Sequence, residues 1–176
     1  MSGPAAARPG SAWAAITVDV AGLPARLIQE LVDRKETVAV AESLTGGLLG
    51  ATIVDAPGAS RAFRGGLIVY ATELKAALAD VPADLLEARG PVDADVAAAL
   101  AEGARGRCGA DWGLATTGVA GPDPQDGVPV GTVFIAVAGP RSEVRQLALD
   151  GERAAVRTQT VTAVLRLALE QIAQTR

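Results

Sequence analysis

Three residues that could carry out acyl-transfer chemistry, Ser43, Tyr70 and Lys75, lie close to the ends of apolar segments. Ser43 stands in a polar, glycine-containing turn between a segment predicted to be a strand and one predicted to be a helix. A hydroxyl nucleophile or an anion is commonly held at such a junction, because the first backbone N–H groups of a helix have no partner within it. Ser43 is therefore a candidate nucleophile, with a phosphate ligand or a helix N-cap as the alternatives.

The chain contains no histidine. This excludes Ser-His-Asp and Cys-His arrangements and every zinc site that uses imidazole, so a hydrolase would need Lys, Tyr, Asp or Glu as its base. Lys75 lies on a short predicted helix with apolar neighbours, and burial lowers the pKa of an amine until it can accept a proton from serine. The hydroxyl of Tyr70 could relay a proton or hold the lysine in place. A solvated lysine and a half-buried tyrosine are the ordinary alternatives.

The turn around Ser43 also contains residues that could contact a ligand. Glu42 could orient a ligand or accept a hydrogen bond, or it could simply be solvated. The sequence Thr45-Gly46-Gly47 suits a tight turn and a close approach of the backbone to a ligand. We therefore count Glu42, Thr45, Gly46 and Gly47 as candidate substrate contacts.

Two further segments could bind an anion. The loop that contains Gly118, Ala120 and Gly121 offers backbone N–H groups for a phosphate or an oxyanion, although a plain connection is as good an interpretation. Arg153 and Arg157 lie one turn apart at the predicted start of the last helix, where cations oppose the helix dipole. A bound anion or an acidic partner would explain them, and surface arginines are the alternative.

Composition limits the function classes. The 176 residues are enough for one domain, and their composition is 49% apolar with only 3% aromatic residues. The net charge of −4 and the absence of a basic block disfavour nucleic-acid binding. Cys108 is the only cysteine, which fits a reducing cytosol, and no apolar run is as long as a membrane span. Residues 1–22 are predicted to be a disordered tail ahead of one domain, 23–176.

Hydrophobic periodicity predicts strands that alternate with helices. The predicted strands are 37–41, 65–70, 112–117, 130–138 and 144–149. The predicted helices are 24–35, 46–54, 72–78, 84–89, one that follows an N-cap at Asp93 and ends near 107, and 153–173. This order predicts a three-layer α/β/α domain with a mixed, mostly parallel sheet whose last two strands are antiparallel. Ligands bind at the carboxyl ends of such strands, where the turns after the first three strands can converge.

Five segments, in this order and spacing, carry a resemblance to a known family: Ala41–Gly47, Tyr70–Lys75, Thr117–Pro122, Pro129–Val133 and Gly151–Arg157. Together they resemble the C-terminal domain of the competence-damage-inducible protein CinA, a family that includes nicotinamide mononucleotide deamidases. The likeness runs from about residue 23 to residue 173. It implies an α/β/α fold with a mixed sheet, and a homodimer.

The resemblance also implies an activity. It implies hydrolysis of the carboxamide of nicotinamide mononucleotide to nicotinate mononucleotide and ammonia, within pyridine-nucleotide recycling and without a metal or a cofactor. The catalytic serine, tyrosine and lysine of the family fall on Ser43, Tyr70 and Lys75. The substrate contacts are expected among the turn after Ser43, the Gly118–Gly121 loop and Arg153.

This chain departs from the usual family pattern at a few positions. Leu44 stands where cysteine is frequent, Ala71-Thr72 replaces Ser-Asn, and Glu152 replaces aspartate. None of these changes affects the candidate nucleophile or base, and Thr72 is the position where substrate fit could differ. Two other functions stay open: a binding module that keeps the nucleotide pocket without turnover, and a hydrolase of the same mechanism acting on another amide.

Overall fold

The computed structural model describes residues 22–175. The predicted tail, residues 1–22, lies outside the described residues apart from Gly22. The helices are Leu23–Arg34 (α1), Leu48–Val54 (α2), Thr72–Ala79 (α3), Ala83–Arg89 (α4), Ala94–Cys108 (α5) and Arg153–Ala173 (α6). The strands are Val38–Glu42 (β1), Phe63–Ile68 (β2), Trp112–Gly118 (β3), Thr132–Ala138 (β4) and Glu143–Ala148 (β5). Between residues 22 and 175, no helix combines the length and the hydropathy needed to span a bilayer.

Most predicted elements form within a few residues of their expected bounds. The N-cap at Asp93 is confirmed, since its Oδ1 accepts a hydrogen bond of 2.8 Å from the Asp95 N–H. The second helix was predicted from Gly46 but begins only at Leu48, because Gly46 and Gly47 have φ angles of 56° and 97°, in the left-handed region. These two glycines belong to the turn, and the helix starts after them.

The sheet has the order β2-β1-β3-β4-β5. Strand β1 pairs in parallel with both β2 and β3, and β4 pairs antiparallel with both β3 and β5. Strand β5 therefore runs in the same direction as β3, and only β4 is reversed. The prediction of a mixed, mostly parallel sheet that ends in an antiparallel pair is confirmed.

Two helical layers cover the sheet, and its two faces differ in the size of their side chains. Helices α1, α2 and α6 pack with Val38 and Val40 of β1, whereas α3, α4 and α5 pack with the intervening alanines of that strand. A Cβ atom on Gly113 of β3 would lie 1.9 Å from the Ala101 carbonyl oxygen of α5. One on Gly103 of α5 would lie 1.8 Å from the Ala79 carbonyl oxygen of α3. The face toward α5 is thus packed at main-chain distance.

The carboxyl ends of β1, β2 and β3 lie together at one edge of the sheet, as parallel neighbours must. Ser43 follows β1 directly, and its N–H donates to the Thr116 carbonyl of β3 at 3.0 Å. On the other side of β1, the Val69 N–H donates to the Glu42 carbonyl at 2.9 Å. The turns after the three strands therefore start side by side, which brings their side chains to one place.

Candidate active site

A cavity of about 130 Å³ opens at this edge of the sheet. It contains all three predicted catalytic residues, together with four of the predicted substrate contacts. Its lining residues are Ser43, Leu44, Tyr70, Lys75, Pro91, Val92, Thr117, Gly118, Val119, Ala120, Gly121, Asp123, Gln125 and Arg153. The convergence of the three turns is confirmed.

Lys75 extends from α3 into the bottom of this cavity and reaches Ser43. Its Nζ lies 3.2 Å from Ser43 Oγ, and it donates hydrogen bonds to the carbonyls of Val69 at 2.9 Å and Tyr70 at 3.5 Å. The side chains are buried, with 1% of Lys75 and 8% of Ser43 exposed. A neutral amine has two N–H groups and one lone pair. When the two carbonyls take the N–H groups, the lone pair is left for the serine hydroxyl.

Burial also adjusts the protonation of Lys75. It lowers the pKa of the amine from 10.5 to about 8, against the smaller opposing effect of the Glu73 carboxylate, which raises that pKa. At pH 7.4, an ordinary lysine is neutral in less than about one molecule in a thousand, whereas a pKa of about 8 leaves roughly a fifth neutral. The amine next to Ser43 can therefore act as a base near neutral pH.

Tyr70 lies at the mouth of the cavity with 58% of its surface exposed. Its hydroxyl accepts a hydrogen bond of 2.9 Å from Arg153 Nη2, while Arg153 Nη1 donates to the Gly121 carbonyl at 2.9 Å. The contact between Tyr70 and Lys75 comes from the tyrosine carbonyl, not from its hydroxyl. A proton relay through the hydroxyl stays a prediction. What the structure shows is a bridge from α6 to the turn after β2 and to the Gly118–Gly121 loop.

Glu42 is positioned away from this cavity. Its carboxylate is 1% exposed and accepts backbone N–H bonds from Gly47 and Leu49, both at 3.0 Å, and from Gly50 at 2.8 Å. The anion expected at the start of α2 is therefore the protein's own carboxylate. Both oxygens of Glu42 are engaged by backbone N–H groups, so the predicted contact between Glu42 and a ligand is wrong. Capping residues usually lie within three positions of the amide they bind, so this longer reach could not be predicted from the spacing of the residues.

The other predicted contacts in the Ser43 turn also lie outside the cavity lining. Thr45 is fully buried, and its hydroxyl lies 2.7 Å from that of Thr116 in β3. Gly46 and Gly47 provide the left-handed backbone that lets the chain turn from β1 into α2. These three residues shape the turn, whereas Gly118, Ala120, Gly121 and Arg153 line the cavity. Their role as substrate contacts stays a prediction.

Sequence reasoning missed several lining residues. Thr117, buried at the end of β3, and the exposed Asp123 and Gln125 flank the Gly118–Gly121 loop, so the position of that loop was a signal for them. Pro91 and Val92 come from the connection between α4 and α5, far along the chain from any recognised motif. The Thr117 hydroxyl donates to the Pro91 carbonyl at 2.6 Å, which ties that connection to the cavity.

Arg157 contacts the Ser43 turn, and this explains its position without an anion. Its Nε donates to the Leu44 carbonyl at 3.0 Å, and its Nη2 donates to the Thr45 carbonyl at 2.6 Å. Arg157 also lines a second, more open cavity of about 640 Å³, which shares Ala120 and Arg153 with the first. Within residues 22–175, no group of three or more Cys, Asp or Glu side chains is arranged to hold a metal ion.

Comparison with known proteins identifies the family. The family model for the CinA C-terminal domain matches residues 20–172. A CinA-like protein of Frankia casuarinae is 53% identical over 144 residues, which make up 81% of this chain and 33% of the relative. A putative competence-damage inducible protein of a Geobacillus strain is 44% identical over 150 residues, 84% of this chain and 36% of the relative. The chain thus spans about a third of the length of these curated relatives.

Solved structures agree in fold over nearly their whole length. A CinA superfamily protein from Klebsiella pneumoniae superposes with a TM-score of 0.85 at 27% identity, covering 89% of this chain and 99% of that one. A CinA superfamily protein from Escherichia coli gives a TM-score of 0.82 at 28% identity, covering 90% of this chain and 92% of the other. The chain therefore belongs to the CinA C-terminal domain family.

Proposed function

We propose that the chain is a serine amidohydrolase that converts nicotinamide mononucleotide to nicotinate mononucleotide and ammonia. The observation that carries this proposal is the buried pair of Lys75 Nζ and Ser43 Oγ at 3.2 Å, at the bottom of a cavity formed by three strand ends. A nucleophile within hydrogen-bond reach of its base is the arrangement that serine acyl transfer needs. Membership of the CinA C-terminal domain family supports the substrate.

In the acylation step, neutral Lys75 accepts the Ser43 hydroxyl proton while Oγ attacks the carboxamide carbon. The carbonyl π electrons move onto oxygen, and a tetrahedral oxyanion forms. When it collapses, the C–N bond breaks and the amide nitrogen takes the proton held by Lys75, so ammonia leaves. Ser43 is then esterified by the pyridine carboxylate, and Lys75 is neutral again.

In the second step, water attacks the ester and gives a proton to Lys75. A second tetrahedral oxyanion forms, and its collapse breaks the bond to Ser43 Oγ, which regains its proton from Lys75. The products are nicotinate mononucleotide and the starting enzyme. One water is consumed and one ammonia is released for each substrate molecule.

The Leu44 N–H is the best-placed donor for the oxyanion. The carbonyl of the Ser43–Leu44 peptide accepts a hydrogen bond of 3.1 Å from the Gly46 N–H. In a trans peptide the N–H points away from the carbonyl, so the Leu44 N–H faces away from the closed side of the turn. Leu44 lines the cavity. Loss of one such donor typically costs about 3–4 kcal/mol of transition-state stabilisation.

The two cavities together suit a nucleotide better than either alone. The first, at about 130 Å³, is smaller than the roughly 300–1,000 Å³ of typical ligand sites. We place the pyridine carboxamide there and the ribose phosphate in the adjoining cavity of about 640 Å³. Arg153 lines both cavities, so its guanidinium is the natural partner for the phosphate.

The decisive test is ammonia release from nicotinamide mononucleotide by the wild type and by Ser43→Ala and Lys75→Ala. We expect each variant to lose at least about a thousandfold in kcat. Ser60→Ala and Lys35→Gln, two exposed positions away from the cavity, serve as matched controls and should keep wild-type rates. Mass spectrometry should find a transient adduct on Ser43.

Other outcomes separate the remaining functions. Full activity of either cavity variant would contradict the proposed roles. Saturable nucleotide binding by the wild type without ammonia release, unaffected by Lys75→Ala, would instead identify a binding module. Release of ammonia from simpler amides but not from pyridine nucleotides would keep the mechanism and change the substrate.

A further inference from the structure

The side chain of Arg157 reaches the main chain immediately after the candidate nucleophile. From the second turn of α6 it donates to two consecutive carbonyls, those of Leu44 at 3.0 Å and Thr45 at 2.6 Å. A planar guanidinium can hold two oxygens at once in a fixed geometry, which a lysine ammonium cannot do. The half-buried Arg157 thus fixes the orientation of two successive peptide groups.

The same turn is anchored from other directions. The buried Glu42 carboxylate holds the amides of Gly47, Leu49 and Gly50, and the Thr45 hydroxyl pairs with Thr116 of β3. The Glu42 contacts hold the start of α2 against the end of β1, and the Thr45 hydroxyl ties the turn itself to β3. Arg157 is the side chain that holds the carbonyls of the two residues next to Ser43.

The orientation of these carbonyls determines where the neighbouring amides point. A trans peptide is planar, so the direction of a carbonyl sets the opposite direction for the N–H of the next residue. The Thr45 carbonyl that Arg157 binds shares a peptide with the Gly46 N–H, and this N–H donates to the Ser43 carbonyl at 3.1 Å. The Ser43 carbonyl in turn sets the direction of the Leu44 N–H. If Arg157 released the Thr45 carbonyl, that peptide could rotate, and the Leu44 N–H would no longer be held in place through the Gly46 N–H. A displacement of about 1 Å in a reacting group can cost about a hundredfold in rate.

We propose that Arg157 is a positioning residue that keeps the Leu44 N–H and the Ser43 hydroxyl in place for attack on the substrate, an inference that rests on the proposed amidohydrolase function. It acts through the main chain of the turn and does not contact the scissile amide. Helix α6 therefore positions residues of the active site in addition to packing against the sheet.

The first experiment measures kcat and KM for nicotinamide mononucleotide in Arg157→Gln and Arg157→Lys. We expect kcat to fall about 10- to 100-fold in the glutamine variant, with KM changed by less than about threefold and with the midpoint of the pH–rate profile unmoved. The lysine variant should recover part of the rate, because an ammonium can bind one of the two carbonyls. Arg166→Gln, an exposed arginine on the same helix, is the matched control and should behave as wild type.

The second experiment measures how fast a fluorophosphonate labels Ser43, with the site identified by mass spectrometry. In this reaction the serine oxygen displaces fluoride from phosphorus and Lys75 takes the proton, so the rate reports on the nucleophile without the natural substrate. Labelling should slow by about the same factor as kcat in Arg157→Gln. Thermal unfolding of each variant shows whether it is folded, and if the glutamine variant is not, Arg157→Lys decides the question.

The outcomes are distinguishable. If the wild type is labelled but releases no ammonia, the proposed substrate is wrong, and the labelling ratio still decides the role of Arg157. Equal labelling of wild type and folded Arg157 variants would overturn the inference. So would an increase in KM with kcat unchanged, which would make Arg157 a ligand for the substrate. A wild type that neither labels nor deamidates would overturn both proposals.

Discussion

The cavity has a floor and a rim that differ in exposure. We define the floor as Ser43, Lys75 and Thr117, which are 8%, 1% and 0% exposed. The rim is formed by residues that solvent reaches, namely Tyr70, Asp123, Gln125 and Arg153, of which Tyr70 is 58% exposed. The floor belongs to strand ends and to one helix, whereas the rim comes from loops and from the first turn of α6.

The difference separates two tasks. Burial at the floor removes water from an amine and a hydroxyl, and this is what lowers the pKa of Lys75. At the rim, Arg153 makes hydrogen bonds that are open to water and can be exchanged for bonds to a ligand. Substitutions at the floor should therefore change the reaction and the stability of the fold, and those at the rim should change affinity and selectivity.

The largest effect is expected from Lys75→Met at the floor, which should change how the free energy of unfolding depends on pH. The folded-state pKa of about 8 is lower than the unfolded value of 10.5. Below pH 8 the lysine is charged in both states and burial disfavours the folded one, whereas above about pH 10.5 it is neutral in both states. Relative to Lys75→Met, the wild type should gain up to about 3 kcal/mol in the free energy of unfolding as pH rises through this window.

Chemical denaturation of both proteins at pH 7.5, 9 and 10.5 measures this difference, and Lys35→Gln controls for the loss of an exposed lysine. If the difference in the free energy of unfolding between the wild type and Lys75→Met stays constant over the three pH values, the floor does not desolvate the amine. In that case the contrast between floor and rim would lose its physical basis.

The second prediction concerns Glu42→Gln, directly before the floor. The substitution removes the negative charge from a buried group that accepts three backbone hydrogen bonds at the start of α2. We expect the free energy of unfolding to fall by about 2–3 kcal/mol, since hydrogen bonds to a charged group are the stronger kind. Urea denaturation at pH 7 provides the measurement.

Glu152→Gln is the matched control for that experiment. Glu152 is the N-cap residue of α6, but it is exposed and its side chain makes no capping hydrogen bond. Its substitution should change the stability by less than about 0.5 kcal/mol. An equal fall in the free energy of unfolding in both variants would show that the buried hydrogen bonds of the Glu42 carboxylate do not stabilise the fold.

The third prediction tests the rim through Arg153→Ala. If Arg153 binds the phosphate, KM for nicotinamide mononucleotide should rise about tenfold, while the values for nicotinamide riboside, which lacks the phosphate, should change little. Steady-state kinetics with both substrates measures the ratio. A similar fall in kcat/KM for both substrates, or a fall in kcat alone, would indicate that Arg153 acts in catalysis and does not bind the phosphate.

The smallest effect is expected from Glu73→Gln, at the exposed start of α3, which should shift the pH–rate profile. The Glu73 carboxylate raises the pKa of Lys75, so its removal should lower that pKa and shift the rising limb of the pH–rate profile to lower pH. The wild-type limb should have its midpoint near pH 8, since kcat/KM follows the neutral amine. Rates measured from pH 6 to 10 test both statements, and a shift to higher pH would contradict the charge argument.

The elements and their convergence were predictable because they follow from periodicity and from the direction of parallel strands. Helix α6 begins and ends where the apolar spacing placed it, at Arg153 and Ala173. Ser43 and Lys75 come together because β1 and β2 are parallel neighbours, so the turns after them start at one edge. The missing histidine left lysine among the few possible bases, and the fold places one beside the serine.

Contacts that depend on three-dimensional reach were not predictable. Glu42 binds amides up to eight residues away because two left-handed glycines fold the turn back toward it. For Arg157 the sequence left an anion or acidic partner and a surface position as alternatives, because it shows the start of the helix but not the backbone carbonyls that the side chain binds. The Tyr70 hydroxyl faces Arg153, a partner 83 residues away.

The absence of a side chain at Gly103 affects the position of the candidate base, Lys75. Helix α5 touches the Ala79 carbonyl of α3 at this residue, and α3 carries Lys75. The depth to which the lysine enters the cavity is therefore set by the contact of two main chains, which has no rotamers to absorb an error. A single methyl group at Gly103 would lie 1.8 Å from the Ala79 carbonyl oxygen, so it would force α3, the helix that carries the base, away from α5.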